Sequence, residues 1–177
     1  MDGLLYFYEK VRMTNFRGRA HLKIDDKGRL SLPSQFRVDA KNILKRHLII
    51  TNNIYQGHRF LDLYTLQEWE KLEKKIALLP QLKSEVQAFQ RFYLSSGEVC
   101  PIDSQWRLLV PMHLREYGKF QDEIVMIGMG HKIEIWNSKD WKTQFSQMES
   151  DFSNVMNVLA GLEESSVSSS KNLKRKT

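Results

Sequence analysis

One pattern of acidic and basic residues occurs twice in this chain, over residues 25–37 and 103–115. In each copy an aspartate is followed by an arginine four positions later, a proline eight positions later and a second arginine twelve positions later. A guanidinium fork can bind a phosphate or the O6 and N7 edge of guanine. Because the unit is duplicated, the pattern favours a paired surface for a polyanion over a single catalytic pocket.

Each aspartate stands at the first position of a predicted turn. A carboxylate there can accept the backbone N–H groups that follow it, so Asp25 and Asp103 are predicted to orient their turns, and Gly28 suits a positive φ. The basic side chains that such turns would present are Arg29 and Arg107, with Lys27 at the tip of the first loop. The alternative is that each arginine only pairs with its own aspartate and ties two strands together, and the spacing alone leaves both interpretations open.

The positive charge is concentrated in the first copy and at the C-terminal end. The net charge is +6. Residues 1–38 carry eight Lys and Arg against four Asp and Glu, residues 163–177 carry four against two, and residues 39–162 carry fifteen of each sign. A localised basic surplus suits a polyanion such as nucleic acid, although a basic surface that serves only solubility would have the same composition.

Motifs for catalysis, metals and cofactors are missing from the sequence. The five histidines are scattered and show no metal-binding pair, and the segment 128–130 lacks the rest of a dinucleotide-binding motif, so it is interpreted as a hairpin turn. Cys100 is the only cysteine and is predicted to be a buried structural thiol. We therefore expect no enzyme activity, no catalytic residue, no metal, no cofactor and no small-molecule substrate. With neither a signal peptide nor a membrane span, a cytoplasmic protein is expected.

The elements around the turns predict a mainly β chain with packed helices. Residues 19–24 and 29–32 flank the first turn and predict a β-hairpin, after which Pro33 opens a short helix over residues 34–41. Thr65 and Glu68 form a capping box that starts a helix ended by Pro80. The other strands are predicted at residues 48–51, 60–64, 98–102, 107–110, 123–127 and 132–136.

Three further helices follow from the spacing of apolar residues. One covers residues 81–94 and is predicted to bury Leu82, Val86, Phe89 and Tyr93. A short helix covers residues 112–117, and a closing helix starts near Ser138. The apolar face of the closing helix comprises Phe145, Met148, Phe152, Val155, Met156 and Leu159.

The pattern divides the chain into five segments. Residues 1–15 form an N-terminal extension, and one hypothesis places the true start at Met13. Residues 16–80 form the first unit with its helix, residues 81–94 a connecting helix, and residues 95–162 the second unit with the closing helix. Residues 163–177 are rich in serine, lack aromatic residues and end in basic residues, so they are predicted to be a disordered basic tail.

The sequence around both copies closely resembles the MraZ family, bacterial transcriptional regulators related to AbrB and SpoVT. The resemblance covers about residues 13–151. It rests on Phe16-Arg17-Gly18, on Lys27-Gly28-Arg29-Leu30-Ser31-Leu32-Pro33, on Asp103 with Arg107, Pro111 and Leu114-Arg115, and on Ile133-Glu134-Ile135-Trp136.

This resemblance implies an α+β fold, in which two tandem AbrB-like swapped-hairpin units form one barrel with helices packed outside. It also implies a ring-shaped homo-oligomer in the nucleoid that binds short direct repeats in the promoter of its own division and cell-wall operon, usually as a repressor. The basic DNA-contacting residues of the family match Arg29 and Arg107, with Arg17 and Lys27 as supports.

One position departs from the family pattern. The family usually has glycine before the second arginine, whereas this chain has Trp106. A bulky residue at positive φ is disfavoured by roughly 1–2 kcal/mol, so the second turn is expected to take another shape and the first copy to carry most of the DNA contact. The alternative function is a ring-forming scaffold or protein-interaction module without DNA readout, which Trp106 and the neutral middle segment favour.

Overall fold

The computed structural model describes residues 16–37 and 47–174, with side chains as far as residue 162. The described chain is mainly strands with four α-helices, so the α+β class is confirmed. The strands are β1 (Arg19–Lys23), β2 (Arg29–Ser31), β3 (His47–Tyr55), β4 (His58–Thr65), β5 (Glu98–Pro101), β6 (Arg107–Leu109), β7 (Glu123–Gly128) and β8 (Lys132–Asn137). The helices are α1 (Leu66–Ala77), α2 (Ser84–Phe89), α3 (Met112–Tyr117) and α4 (Ser138–Lys174), with a 3₁₀ turn at Ser34–Phe36 and a π-helical turn at Gln90–Leu94.

Strand pairing crosses between the two copies of the pattern. One sheet has the order β1-β7-β8-β4-β3-β5, and a separate two-stranded ribbon joins β2 to β6. The predicted hairpin of β1 with β2 is therefore wrong, because the first turn joins strands that pair with different partners. An isolated two-stranded hairpin is marginal in water, whereas pairing across the copies buries Leu30 and Leu108 completely in one shared core.

The strand registers have an approximate two-fold symmetry. In the ribbon, Leu30 pairs with Leu108, and Arg29 and Arg107 stand one position before them in their own strands. In the sheet, Asp62 and Glu134 are the middle residues of the paired segments of β4 and β8, and they lie opposite each other. The outer strands of the six-stranded order are β1 and β5, so the sheet is open in the described residues and the closed barrel stays a prediction.

The main core lies between the ribbon and one face of the sheet. Leucine, isoleucine and phenylalanine side chains from both copies meet there, including Phe36 and Leu114, which follow the two prolines at the same offset. Cys100 belongs to this core, as predicted, and its burial raises the pKa of the thiol to about 12. This core holds the ribbon, and with it the two Asp-x-x-x-Arg turns, against the sheet.

Helix α1 and the π-helical turn at Gln90–Leu94 cover the other face of the sheet, where Trp69 and Tyr93 form a smaller cluster with Ile49 and Tyr64. The predicted N-cap of α1 is confirmed, because the Thr65 hydroxyl accepts the Glu68 N–H at 3.3 Å. The predicted burial of Leu82 is wrong, since its side chain is 94% exposed. The physical reason is that α2 begins only at Ser84, so Leu82 precedes the helix and is not on its apolar face.

Helix α4 continues to Lys174, into the segment predicted as a disordered tail. No glycine or proline after Gly161 interrupts it. The chain divides into two compact units, one up to Asp140 and the other from Trp141 onward. The N-terminal extension, Met13 and the second half of the predicted helix 34–41 lie outside the described residues. No helix within residues 16–37 or 47–174 combines the length and apolar character of a membrane span.

Candidate nucleic-acid interface

The first turn is built by hydrogen bonds to Asp25. Its Oδ1 atom accepts the backbone N–H groups of Lys27 at 3.0 Å and Arg29 at 2.8 Å. Its Oδ2 atom accepts Nε–H of the Arg29 side chain at 2.7 Å. The Gly28 N–H donates to the Asp25 carbonyl at 2.8 Å and closes a β-turn. One carboxylate therefore fixes both the backbone of the turn and the direction of the arginine.

The second turn repeats these bonds one for one. Asp103 Oδ1 accepts the N–H groups of Gln105 and Arg107, both at 2.9 Å. Asp103 Oδ2 accepts Nε–H of Arg107 at 2.8 Å, and the Trp106 N–H donates to the Asp103 carbonyl at 3.1 Å. The predicted orienting role is thus found in both copies, together with the Asp–Arg pair that was its alternative.

These Asp–Arg pairs use only one nitrogen of each guanidinium. The hydrogen bond runs through Nε in both copies, and within the described residues the two terminal nitrogens have no hydrogen bond. The Arg29 and Arg107 side chains are 33% and 31% exposed. Each arginine is consequently held in direction by its aspartate while its terminal nitrogens can donate to an anion.

Both arginines lie on one face of the β2–β6 ribbon. Successive side chains of a strand point to opposite faces, so the inward-pointing Leu30 and Leu108 place Arg29 and Arg107 outward. Arg29 pairs in register with Leu109, two positions along the strand from Arg107. Such diagonal neighbours lie about 7–8 Å apart. The outward face therefore presents two arginines at opposite ends, with Ser31 and Leu109 completing it.

The expectation of a different second turn is wrong. Trp106 has φ of 61°, close to the 82° of Gly28, and the hydrogen bonds of the two turns match. Leu32 N–H donates to the Trp106 carbonyl at 2.8 Å, as Val110 N–H donates to the Gly28 carbonyl at 2.9 Å. The backbone strain is offset by these bonds and by packing of the Trp106 ring against the main core.

The second arginine of each copy packs over the turn of the other copy, which the sequence reasoning missed. The Arg37 guanidinium lies 5.5 Å from the centre of the Trp106 ring. Arg115 lies so close to Gly28 that an added Cβ would be 2.5 Å from its guanidinium carbon. The buried Nε of Arg115 has no hydrogen bond in the described part of the chain. The available signal was the equal offset of both arginines from their aspartates.

The hydrogen bonds of each turn also stabilise its carboxylate. The backbone N–H of Arg29 is the largest cause of lowering the pKa of Asp25 below its usual 3.8; desolvation opposes it, and the Arg29 side chain strengthens it. The pKa of Asp103 is lowered in the same order by the backbone and side chain of Arg107. Both aspartates are therefore ionised at neutral pH.

The two supporting cations lie in different places. Lys27 is exposed at the tip of the first turn, beside Arg29. Arg17 is also exposed, but it precedes β1, next to the bridge between Phe16 and Gly130. Since β1 alone spans about 13 Å at 3.3 Å per residue and the turn follows its far end, the structure does not bring Arg17 together with Arg29.

A metal centre has no counterpart in the part of the chain that the structure describes, where no three His, Cys, Asp or Glu residues cluster suitably. The ribbon instead presents two arginines, Arg29 and Arg107, each bonded to its aspartate through Nε.

Comparisons with known proteins agree with one another. A family model described as "MraZ protein, putative antitoxin-like" matches residues 15–92 and 94–160. The chain is 35% identical over 140 residues to a protein of Natranaerobius thermophilus named Transcriptional regulator MraZ, covering 79% of this chain and 93% of that protein. It is 33% identical over 147 residues to a protein of the same name from Alkaliphilus oremlandii, covering 83% of this chain and 98% of the relative.

Proposed function

The chain belongs to the MraZ family, and from that premise we propose that it is a sequence-specific DNA-binding transcriptional regulator. The observation that carries the proposal is the pair of arginines, Arg29 and Arg107, held in the same geometry on one face of a two-stranded ribbon. Relatives that cover most of this chain are named transcriptional regulators, which supports a role in regulation.

A two-stranded ribbon is one of the elements that can read DNA. The major groove is about 12 Å wide and admits a two-stranded β-ribbon. The terminal nitrogens of Arg29 and Arg107 would donate to guanine edges or to phosphates, and Ser31 lies on the same face, directly opposite Arg107. Lys27, Arg37 and Arg115 add positive charge around the two turns and would contact the backbone, which positions the protein without reading sequence.

Two equivalent turns in one chain suit a repeated operator. We propose that the protein binds short direct repeats in a promoter as a homo-oligomeric ring, and that it represses its own division and cell-wall operon in the nucleoid. Each subunit would engage one repeat, and several weak contacts would sum through avidity. The alternative, a scaffold without DNA readout, is favoured by the neutral middle segment, whereas Trp106 no longer supports it, because the second turn keeps the hydrogen bonds of the first.

Selection of bound fragments from the source genome tests the proposal. We expect enrichment of spaced direct repeats upstream of division and cell-wall genes. On the selected duplex, fluorescence anisotropy should show affinity that falls steeply with salt, because each phosphate contact releases counterions. Fragments without a common repeat, or binding that does not respond to salt, would contradict DNA readout.

The two arginines can be tested separately. Arg29→Ala and Arg107→Ala should each weaken binding by about 1–3 kcal/mol, or roughly 5- to 150-fold. The two effects should be similar, and not larger for the first copy as the sequence predicts, because the two turns have the same hydrogen bonds. Lys74→Ala on α1 removes the same charge from an exposed site and should change the affinity little. If wild type and the double arginine variant bind the duplex with equal affinity, the ribbon is not part of the DNA interface.

A further inference from the structure

An open cavity lies at the end of α3, where the chain turns towards β7. Its volume is about 360 Å³, within the range of small-molecule sites, roughly 300–1,000 Å³. The lining contains two cations, one acid and two apolar side chains, and consists of Met112, Arg115, Glu116, Lys119, Phe120 and Gln121. Such a lining suits a ligand that combines an anionic group with an apolar part.

Arg115 lacks a hydrogen bond that its counterpart in the first copy makes. Nε–H of Arg37 donates to the Leu32 carbonyl at 3.0 Å. The buried Nε of Arg115 has no hydrogen bond in the described residues, although the guanidinium lies against Gly28. A buried donor without an acceptor is unfavourable. Charge-assisted hydrogen bonds from this guanidinium to an anion in the cavity would offset that loss.

Lys119 supplies the second cation from a position where glycine is usual. Helix α3 ends in a Schellman motif, in which Phe120 N–H donates to the Arg115 carbonyl at 2.9 Å and Lys119 N–H donates to the Glu116 carbonyl at 3.1 Å. Lys119 is the left-handed residue of the motif, with φ of 55°, and glycine or asparagine is typical there. Backbone strain of this kind clusters at functional sites. The strained position brings an amine to the cavity, which glycine would not do.

We propose that this cavity binds a small organic phosphate next to the first Asp-x-x-x-Arg turn. The guanidinium of Arg115 and the amine of Lys119 would donate to the phosphate oxygens. The organic part would pack on Met112 and Phe120, and the amide of Gln121 can donate to or accept from its polar groups. A phosphate of the DNA backbone offers the same anionic group, but it would leave the apolar part of the lining unused. The proposal does not depend on DNA binding.

Fluorine NMR of para-fluorophenyl phosphate, titrated with the purified full chain, tests the site without DNA. We expect saturable binding to wild type, weakened roughly five-fold or more in Lys119→Gly. Glycine suits φ of 55°, so this variant should be as stable as wild type in urea unfolding, and misfolding would not explain the loss. Lys74→Ala removes the same charge from an exposed position of α1 and should keep the wild-type affinity. No binding of the probe, or equal affinity of wild type and Lys119→Gly, would overturn the proposal.

Two competitors separate the parts of the ligand. Inorganic phosphate should bind roughly five-fold or more weakly than the probe, because it lacks the apolar part. Equal affinity would show that phosphate alone is recognised, as on a DNA backbone, and would contradict the proposal. The alcohol para-fluorophenol should also bind more weakly than the probe, and binding as tight as that of the probe would exclude an anion site.

Met112→Ser tests the apolar part of the lining. The Met112 side chain is 67% exposed, so the substitution should leave the fold intact. It should weaken binding of para-fluorophenyl phosphate while the affinity for inorganic phosphate stays at the wild-type value. Unchanged affinity for both would show that the organic part of the ligand does not contact this cavity, which would overturn the proposal.

Discussion

The Arg37 guanidinium lies over the Trp106 ring, 5.5 Å from its centre, although the two residues belong to different copies of the repeated pattern. The equivalent pair is Arg115 and Gly28, where the arginine fills the space that a side chain would need. The two copies therefore accept a tryptophan and a glycine at the same positive-φ position by placing the opposing arginine differently. The turns keep one shape, and with it one orientation of Arg29 and Arg107.

Substitutions at Trp106 should separate backbone strain from ring packing. Trp106→Gly and Trp106→Ala both remove the ring and its contact with Arg37, but alanine keeps the side-chain strain at φ of 61°. We expect the glycine variant to be the more stable of the two by about 1 kcal/mol, measured as the free energy of unfolding in urea. If the Trp106→Ala variant is the more stable, residue 106 does not keep its positive φ in solution.

Substitution by alanine should destabilise the protein more at Gly28 than at Gly57, although the two glycines have nearly the same φ. Gly57 has φ of 83° and no atom within 4 Å of an added Cβ, whereas a Cβ on Gly28 at φ of 82° would meet Arg115. Gly57→Ala should cost about 1–2 kcal/mol of unfolding free energy from strain alone, and Gly28→Ala should cost more because Arg115 must move. Equal losses in urea unfolding would show that Arg115 is displaced without cost.

The two turn aspartates should titrate below the usual value of 3.8. Because their pKa is lower in the folded than in the unfolded chain, the turns contribute stability that is present above pH 3.8 and is lost as the pH falls through the folded pKa. Carboxyl-carbon NMR should follow both titrations. In Arg29→Ala the pKa of Asp25 should rise but stay lowered, because the backbone N–H still donates, and Asp103 should not change.

Removal of Lys132 should destabilise the sheet strongly. Its Nζ atom lies 2.8 Å from Asp62 Oδ1 and 3.0 Å from Glu134 Oε1, and the Asp62 side chain is 0% exposed. Burial alone lowers the pKa of Lys132, but the two carboxylates outweigh it and raise the pKa above 10.5. Lys132→Met leaves a buried carboxylate without its cation and should cost about 3–5 kcal/mol of unfolding free energy. Lys75→Met, at an exposed position of α1, should change the free energy of unfolding by no more than about 0.5 kcal/mol. Similar losses for the two variants would contradict the buried ion network.

Local features of the fold were predictable from the sequence because the interactions that cause them span few residues. Asp25 and Asp103 bind groups no more than four positions away, and Thr65 caps α1 through Glu68 three positions on. The short helix Met112–Tyr117 and the start of α4 at Ser138 agree with the predicted bounds. Arg29 and Arg107 as turn residues belong to this group, and their contact with DNA stays a prediction.

The tertiary structure decided which strands pair and what shape the second turn takes. The turn at residues 25–28 could equally join two paired strands or two separate ones, and only the core shared by Leu30 and Leu108 selects the pairing of β2 with β6. Likewise, the sequence alone determined that Trp106 stands where glycine is favoured. The backbone hydrogen bond from distant Leu32 and the contact of the Trp106 ring with Arg37 offset a strain of about 1–2 kcal/mol, and such long-range contacts exist only once the chain has folded.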